Sequence, residues 1–436
     1  MIKIKSQTSI MKTASILIAL MSSLTTADAG NVQPGTNALE FGALCQLVAL
    51  SESKPTLPVD SDKGKQAFED IKALNMTLSS QEWQAKFSKG GDGKTWETKF
   101  PHGMSDPGGW YDAWARWIKA IQDAKTPTKA DEIKQHGFEA LSKKLKTVAL
   151  AMIRTLESIA LKLQSARTQL EQKLNKPSPS SLTETLATAV FGKTGKTGAT
   201  VAHSDAFGSG AATNCAGYCQ DALPTTKTTS VAATLACLCV KADSNNQDEA
   251  CGHGMAATQW TVAGVPTAAQ VTTVLAYCAK TDKTTISAAD IKGPLDTLQR
   301  SIRIISGNGD LGAYNTGNGG GKSNNGLCVK YTAYTGTGTT GFKQITWAEK
   351  LRQLQHQLQA RKDALKAAEA VEEQLKATRE AAYAVANEVE ILYAASGPVE
   401  TTTATGTLKT NPDQKCVTIT EQQQCRQAAE LNGMTR

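Results

Sequence analysis

Aromatic residues are scarce in this 436-residue chain, 5% of the total, and histidines number only five. So low an aromatic content suits a chain built on long helices more than one built around a large aromatic core. His102, His136, His203, His253 and His356 are scattered, and none stands in a C-x-x-C, H-E-x-x-H or G-x-S-x-G setting. No nucleophile therefore has an activating base beside it, and nothing in the sequence argues for an enzyme. Charge of one sign is lacking as well: 47 Lys and Arg oppose 40 Asp and Glu, a net of +7. A surplus that small over this length does not suggest nucleic acid. Beyond the N-terminus no apolar run reaches the eighteen or so residues of a membrane span, so the sequence as given carries no transmembrane anchor.

Proline and glycine are missing altogether from Phe342 to Ser396, a stretch dense in strong helix formers. Its apolar positions step by fours and threes through Trp347, Leu351, Leu354, Leu358, Leu365, Ala368 and Leu375, and Val389 and Tyr393 resume the phase. This is the seam of a coiled coil, interrupted by Arg361, Glu372 and Arg379. At about 1.5 Å per residue such a helix is roughly 80 Å long, and Gly397 with Pro398 ends it. A second long helix is predicted from Asp131 to Lys176, with Leu141, Leu145, Val148, Met152, Leu156, Ile159, Leu163, Ala166, Leu170 and Leu174 at the same spacing. Neither stripe can be buried alone, so the two are expected to pair antiparallel.

At the N-terminus, Lys12, the apolar run Ala14 to Leu24, and the small residues Ala27 and Ala29 read as a secretory signal peptide over residues 1–29. Its removal takes away three lysines and one aspartate and leaves a net of +5. In an oxidising compartment the ten cysteines, Cys45, Cys215, Cys219, Cys237, Cys239, Cys251, Cys278, Cys328, Cys416 and Cys425, are expected to pair as disulfides. Eight precede the long helix and two follow it, which allows four bridges and one, with connectivity open. Cys45 sits on the apolar face of a helix opened by Asn37, so any bridge from it closes a loop of at least 170 residues. The one N-x-[ST] sequon marks Asn75 as a glycan acceptor.

Between the long helices, residues 177–341 form an expected disulfide-stapled, loop-rich head. Within it, Ser287 to Ile305 reads as an amphipathic helix, and Ser306 to Gly326, nearly devoid of apolar side chains, as an exposed tip loop. Trp83, Phe87, Trp96, Phe100, Trp110, Tyr111, Trp114 and Trp117 cluster among turn residues. They form either a carbohydrate- or choline-type cage or, as the stronger reading, a satellite core. Gly307, Gly309 and Gly312 match G-x-G-x-x-G by letter but follow a helix, not a strand, so the dinucleotide reading fails. Lys322 and Ser323 resemble the end of a P-loop whose first glycine is replaced by Thr316. Cys215, Cys219, Cys237, Cys239, Cys251 and His253 match no usual zinc spacing. No metal or cofactor is expected.

Asn37 through Cys45, the pair Trp83 and Phe87, the two long helices, and Asn325 through Tyr331 leading into the second of them together resemble the N-terminal domain of the variant surface glycoproteins of African trypanosomes. The central concentration of cysteines is similar to class B. The resemblance implies a mainly α fold: an elongated antiparallel long-helix coiled-coil bundle with the head inserted between the helices. It divides the chain into a helical domain over residues 30–400 and a bottom lobe or start of a C-terminal domain over 401–436. It further implies a non-catalytic coat protein that shields the cell from antibody and underlies antigenic variation. A homodimer, host antibodies at the tip, a GPI anchor at the cell surface and an O-linked hexose on Ser323 follow from the same resemblance, although no anchor signal follows Thr435. Two other readings stay open: a related surface receptor binding a host serum protein, and an unrelated adhesin, which a cysteine pattern leaving Cys45 apart from the head would indicate.

Overall fold

The computed structural model describes residues 32–395, apart from residues 92–94, 107, 209–211, 213, 224–225, 243–248, 256–258, 261–265, 317–318 and 323–324. The expected signal peptide, Ser323, Cys416, Cys425 and the segment 401–436 lie outside the described residues. Thirteen α-helices and five strands are found among those described: α1 (Ala38–Glu52), α2 (Gly64–Leu78), α3 (Gln81–Ala85), α4 (Trp110–Ala124), α5 (Pro127–Gln135), α6 (Lys143–Leu174), α7 (Pro179–Phe191), α8 (His203–Ala206), α9 (Cys215–Tyr218), β1 (Gln220–Ala222), α10 (Val231–Cys239), α11 (Ala268–Ala276), α12 (Ala288–Ser301), β2 (Arg303–Ile305), β3 (Asn308–Tyr314), β4 (Gly320–Lys322), β5 (Gly326–Thr332) and α13 (Thr346–Ala395). The fold is mainly α. It divides into a larger unit, residues up to Lys72 with Leu156–Glu380, and a smaller one, Ala73–Thr155 with residues from Ala381.

In the larger unit α13 buries Trp347, Leu351, Leu354, Leu358, Ala364, Ala368 and Leu375. The seam is not interrupted at Arg361, Glu372 and Arg379; those residues occupy seam positions, and each has a polar contact. Arg361 Nη2 donates to the Pro58 carbonyl at 2.9 Å, Glu372 lies 3.9 Å from Arg167, and Arg379 pairs with Asp70. Leu174 of α6 packs with Ala364 and Ala368, while Arg167, two turns earlier, meets Glu372 two turns later. Within this unit the two helices therefore run antiparallel. Gly64 opens α2 where a Cβ would lie 2.9 Å from Leu375 and 3.2 Å from the Glu372 backbone, so only glycine lets that turn approach α13.

The predicted second long helix is broken. α5 ends at Gln135, Gly137 adopts φ +85°, and α6 starts afresh after Ser142, whose hydroxyl accepts the Leu145 amide at 3.3 Å. Sequence periodicity alone carried the helix across this turn.

The head contains a sheet in the order β1-β5-β3-β2, with β4 also on β5; β1 runs parallel to β5 and the other pairs are antiparallel. Ser306 and Gly307, with φ +48° and +76°, make the tight turn between β2 and β3. The expected exposed loop over residues 306–326 is thus corrected, because Gly309 to Ala313 are buried in β3 and Gly319 to Gly321 and Gly326 are buried as well. Its low apolar content reflects close packing, not exposure. A Cβ on Gly312 would collide with Leu238 and come within 2.8 Å of the Leu327 carbonyl. The backbone groups are satisfied by the ladder, which is what allows a glycine-rich segment inside. Beneath it α10, Val231–Cys239, is buried at every residue.

Asn37 joins these parts. Wholly buried, it donates from Nδ2 to the carbonyls of Leu238 and Leu327, each at 2.8 Å, so the start of α1 is fastened to α10 and β5 at once. Asn37→Ala leaves two buried carbonyls without donors and is expected to cost about 2–3 kcal/mol. Thermal unfolding followed by circular dichroism should show a midpoint several degrees lower with native helicity retained at 20 °C (about room temperature); an unchanged midpoint would remove Asn37 from this role.

Candidate functional site

Three disulfides organise the head. Cys45–Cys278 ties α1 to the chain just after α11 across 233 residues, Cys219–Cys237 ties the end of α9 to α10, and Cys239–Cys251 closes the far end of α10. Cys215 and Cys328 are free thiols in the structure, and both are buried. Cys219, Cys237, Cys239 and Cys251 are taken up in bridges, and His253 Nδ1 lies 2.7 Å from Glu249. Among the described residues no group of three or more His, Cys, Asp or Glu could hold a metal ion.

Among the described residues of the head, Asp221 and Asp310 are buried carboxylates. Asp221 accepts from the Thr228 hydroxyl and from the amides of Lys227 and Thr228; burial pushes its carboxyl up while those donors pull it down. The buried Tyr331 phenol close by is held well above its ordinary value by desolvation. Asp310 on β3 stands in register with Arg303 on β2 and Lys330 on β5, is 1% exposed, and has no hydrogen-bond partner on either oxygen. Desolvation raises its carboxyl, and Lys330 and Arg303 oppose that only in part. A cavity of about 590 Å³ is lined by Phe41, Cys45, Leu50 and Pro294 together with Lys283 and Asp290, which pair at 2.6 Å.

In the smaller unit the aromatic residues pack on one another. Trp83 meets Phe87, Trp110 and Trp117 edge-on at 4.9 to 5.2 Å, and Phe100 meets Trp114 at 5.1 Å. Phe87 and Trp114 are buried at the centre. The rings fill a satellite core and enclose no open cage. Asn75 lies in the last turn of α2, half-buried, with Met76 buried and Thr77 exposed.

On α6 the apolar stripe is buried only in part. In the larger unit Glu157, Ala160, Arg167 and Leu174 turn inward, while Ile159 is 44% exposed, Ala166 is exposed, and Leu156, Leu163 and Leu170 are half-buried. Around Ile159 and Ala166 the apolar 3-4 spacing that looked like an internal seam faces out of the single chain, whereas Leu170 and Leu174 pack with Ala364 and Ala368.

Residues 17–377 match the trypanosomal VSG domain (VSG_B). The chain belongs to the variant surface glycoprotein family of trypanosomes. Variant surface glycoprotein ILTAT 1.23 of Trypanosoma brucei brucei is 24% identical over 399 residues, covering 87% of this chain and 72% of the relative. Variant surface glycoprotein ILTAT 1.21 of the same organism is 27% identical over 146 residues, 33% of this chain and 31% of the relative, so this alignment spans under a third of that protein's length. Variant surface glycoproteins are surface coat glycoproteins, a structural family. Among the described residues no helix is long and apolar enough to cross a membrane.

Sequence reasoning named the cysteines and the sequon of this variant surface glycoprotein, and the structure brings six of the cysteines together in pairs. It missed Asn37 as an anchor and Asp221 and Asp310 as interior carboxylates, because a polar residue's burial leaves no periodic signal. Asp310 supplies a pH test. Its folded-state pKa is raised, so its contribution to stability is present below the unfolded value of 3.8 and is lost as pH rises through the folded value. The thermal midpoint of the native protein relative to Asp310→Asn is expected to climb as pH is lowered from 7 toward 4 (about the carboxylate range). A pH-independent difference between the two proteins would contradict it.

Proposed function

We propose that this variant surface glycoprotein is a non-catalytic coat component that shields a parasite cell from host antibody and takes part in antigenic variation. It acts as a homodimer held at the outer leaflet by a C-terminal GPI anchor, with host antibodies as the external partner. The observation that carries this reading is the family match over residues 17–377. The physics of the head is compatible with it: bridges and main-chain ladders hold the core, so exposed side chains can differ without cost to folding. Glycans on Asn75 and Ser323, and a bridge between Cys416 and Cys425, belong to the same proposal. It is tested by expressing the full-length protein in trypanosomes. Surface biotinylation, release by phosphatidylinositol-specific phospholipase C and binding of antisera to intact cells are the expected results. Retention inside the cell, or saturable capture of one serum protein by the purified molecule, would overturn it in favour of another secretory role or a receptor.

The outward stripe of α6 supports self-association. Leu156, Ile159, Leu163 and Ala166 repeat the 3-4 spacing with which one helix seam meets another of its kind. Ile159→Glu with Leu163→Glu is expected to raise the dimer dissociation constant by about 100-fold or more, since two charges enter an apolar contact. Sedimentation velocity reads the outcome. A doubly substituted protein that still sediments as the dimer would place the contact elsewhere.

A further inference from the structure

Of the eight cysteines within the described residues, six are bridged and two are left, Cys215 and Cys328. Their exposures are 2% and 0%. They come from distant parts of the chain, Cys215 from the first position of α9 and Cys328 from the middle of β5, yet one short strand connects their surroundings. β4 pairs with β5, and α9 packs on β4. The glycines of that strand mark where the two sulfurs lie. A Cβ added to Gly319 would collide with Cys328 Sγ, and a Cβ added to Gly321 would stand 2.7 Å from Cys215 Sγ. Both glycines have positive φ, +66° and +74°, and the Gly321 amide donates to the Gly319 carbonyl at 2.8 Å, so they form a tight bare turn over the two thiols. The sulfurs are near enough that negative charge on Cys215 would raise the thiol of Cys328.

We infer that Cys215 and Cys328 form a fourth disulfide, closed beneath the glycine turn Gly319–Gly321. The inference rests on the secretory reading of the chain, since a reducing compartment would leave both thiols as they are. The oxidant is the disulfide of a secretory-pathway thiol oxidoreductase. The thiolate of one cysteine attacks a sulfur of that disulfide, forming a mixed disulfide and releasing one oxidoreductase thiolate, which takes up a proton. The thiolate of the second cysteine then attacks the first cysteine's sulfur and displaces the other oxidoreductase thiolate. Two protein thiols are oxidised and one disulfide is reduced to two thiols, with protons and electrons balanced.

Burial also dictates when this happens. In the folded chain desolvation pushes the Cys215 thiol up to about 12 and the Cys328 thiol higher still. Hardly any attacking thiolate exists there at neutral pH, and no oxidoreductase reaches a sulfur that is 0% exposed. The bridge must close while β4 has yet to settle on β5. Once closed, the same burial protects it from reduction. Cys215 opens α9 and Cys219 caps its end one turn later, so the new bridge and Cys219–Cys237 would pin that turn to β5 on one side and α10 on the other.

The test is peptide mapping of the full-length protein secreted from its native cell, denatured in guanidinium with N-ethylmaleimide and without reductant, then digested and analysed by mass spectrometry. A peptide pair joined through Cys215 and Cys328 is expected, beside the three bridges already seen. Cys215→Ser alone should leave Cys328 fully alkylated. The double variant Cys215→Ser, Cys328→Ser should keep the other three bridges and lose about 5 °C or more of thermal midpoint. Alkylation of both cysteines in the native protein with the other bridges intact, or a link from either one to Cys416 or Cys425, overturns the inference and leaves the coat reading standing. Alkylation of all the cysteines instead removes the secretory reading on which both depend.

Discussion

Everything in the larger unit depends on the apolar stripe of α13 being covered. A helix of 50 residues gains little from backbone propensity alone and holds its shape because one face is removed from water. Trp347, Leu351, Leu354 and Leu358 do this against the head, where they belong to the same core as α1, α10 and β5. Farther along, the stripe is built differently. Arg361, Glu372 and Arg379 take seam positions, and each brings a specific partner: the Pro58 carbonyl, Arg167 and Asp70. Apolar side chains alone tolerate slippage by a turn, whereas a buried guanidinium accepts only the register in which its acceptor is present. These polar positions thus trade some stability for a fixed alignment of α13 with α6 and α2.

The head solves another problem. Its segments are rich in glycine and threonine, and such a composition has little apolar surface to bury per residue. Two devices offset this. The sheet satisfies the backbone of β3 and β5 internally, so glycines can pack where side chains would not fit, as at Gly312 against Leu238. The bridges Cys45–Cys278, Cys219–Cys237 and Cys239–Cys251 restrict the unfolded chain and hold α1, α9 and α10 together. For a coat protein of the variant surface glycoprotein family the consequence is functional. When a core is kept by main-chain hydrogen bonds and covalent staples, the outward side chains are released from structural duty, and a surface can differ between relatives that are 24% identical over 399 residues.

Reading the sequence forward succeeded where one residue type meant one thing. The span free of proline and glycine is a helix at Thr346–Ala395, and Cys45 does lie on the buried face of α1. It went astray where one composition has two physical explanations. A glycine-rich run is exposed when nothing packs on it and buried when something packs closely, and Asn308 to Tyr314 proved to be the second kind. Likewise an apolar stripe is covered by its own chain or by another. On α6 the stripe through Ile159 and Leu163 remains outward, whereas Glu157 and Arg167 face inward, a choice that no periodicity on α6 could reveal.

By itself the sequence determined the helical character, the long helices' general places, the concentration of most of its cysteines between the long helices, and the resemblance that names the family. Those properties are local: propensity, spacing and residue identity act over a few turns of chain. Only the tertiary structure decided that Arg361, Glu372 and Arg379 belong to the seam, that Gly137 breaks the second helix, that β3 is interior, and that Asn37 fastens α1 to Leu238 and Leu327. Asn37, Arg361, Glu372 and Arg379 depend on partners between 201 and 309 residues away, and the break at Gly137 on a backbone angle, and neither is written in the spacing of side chains along one segment. The pairing of Cys45 with Cys278 is of the same kind, because which sulfur is near is a property of the folded chain.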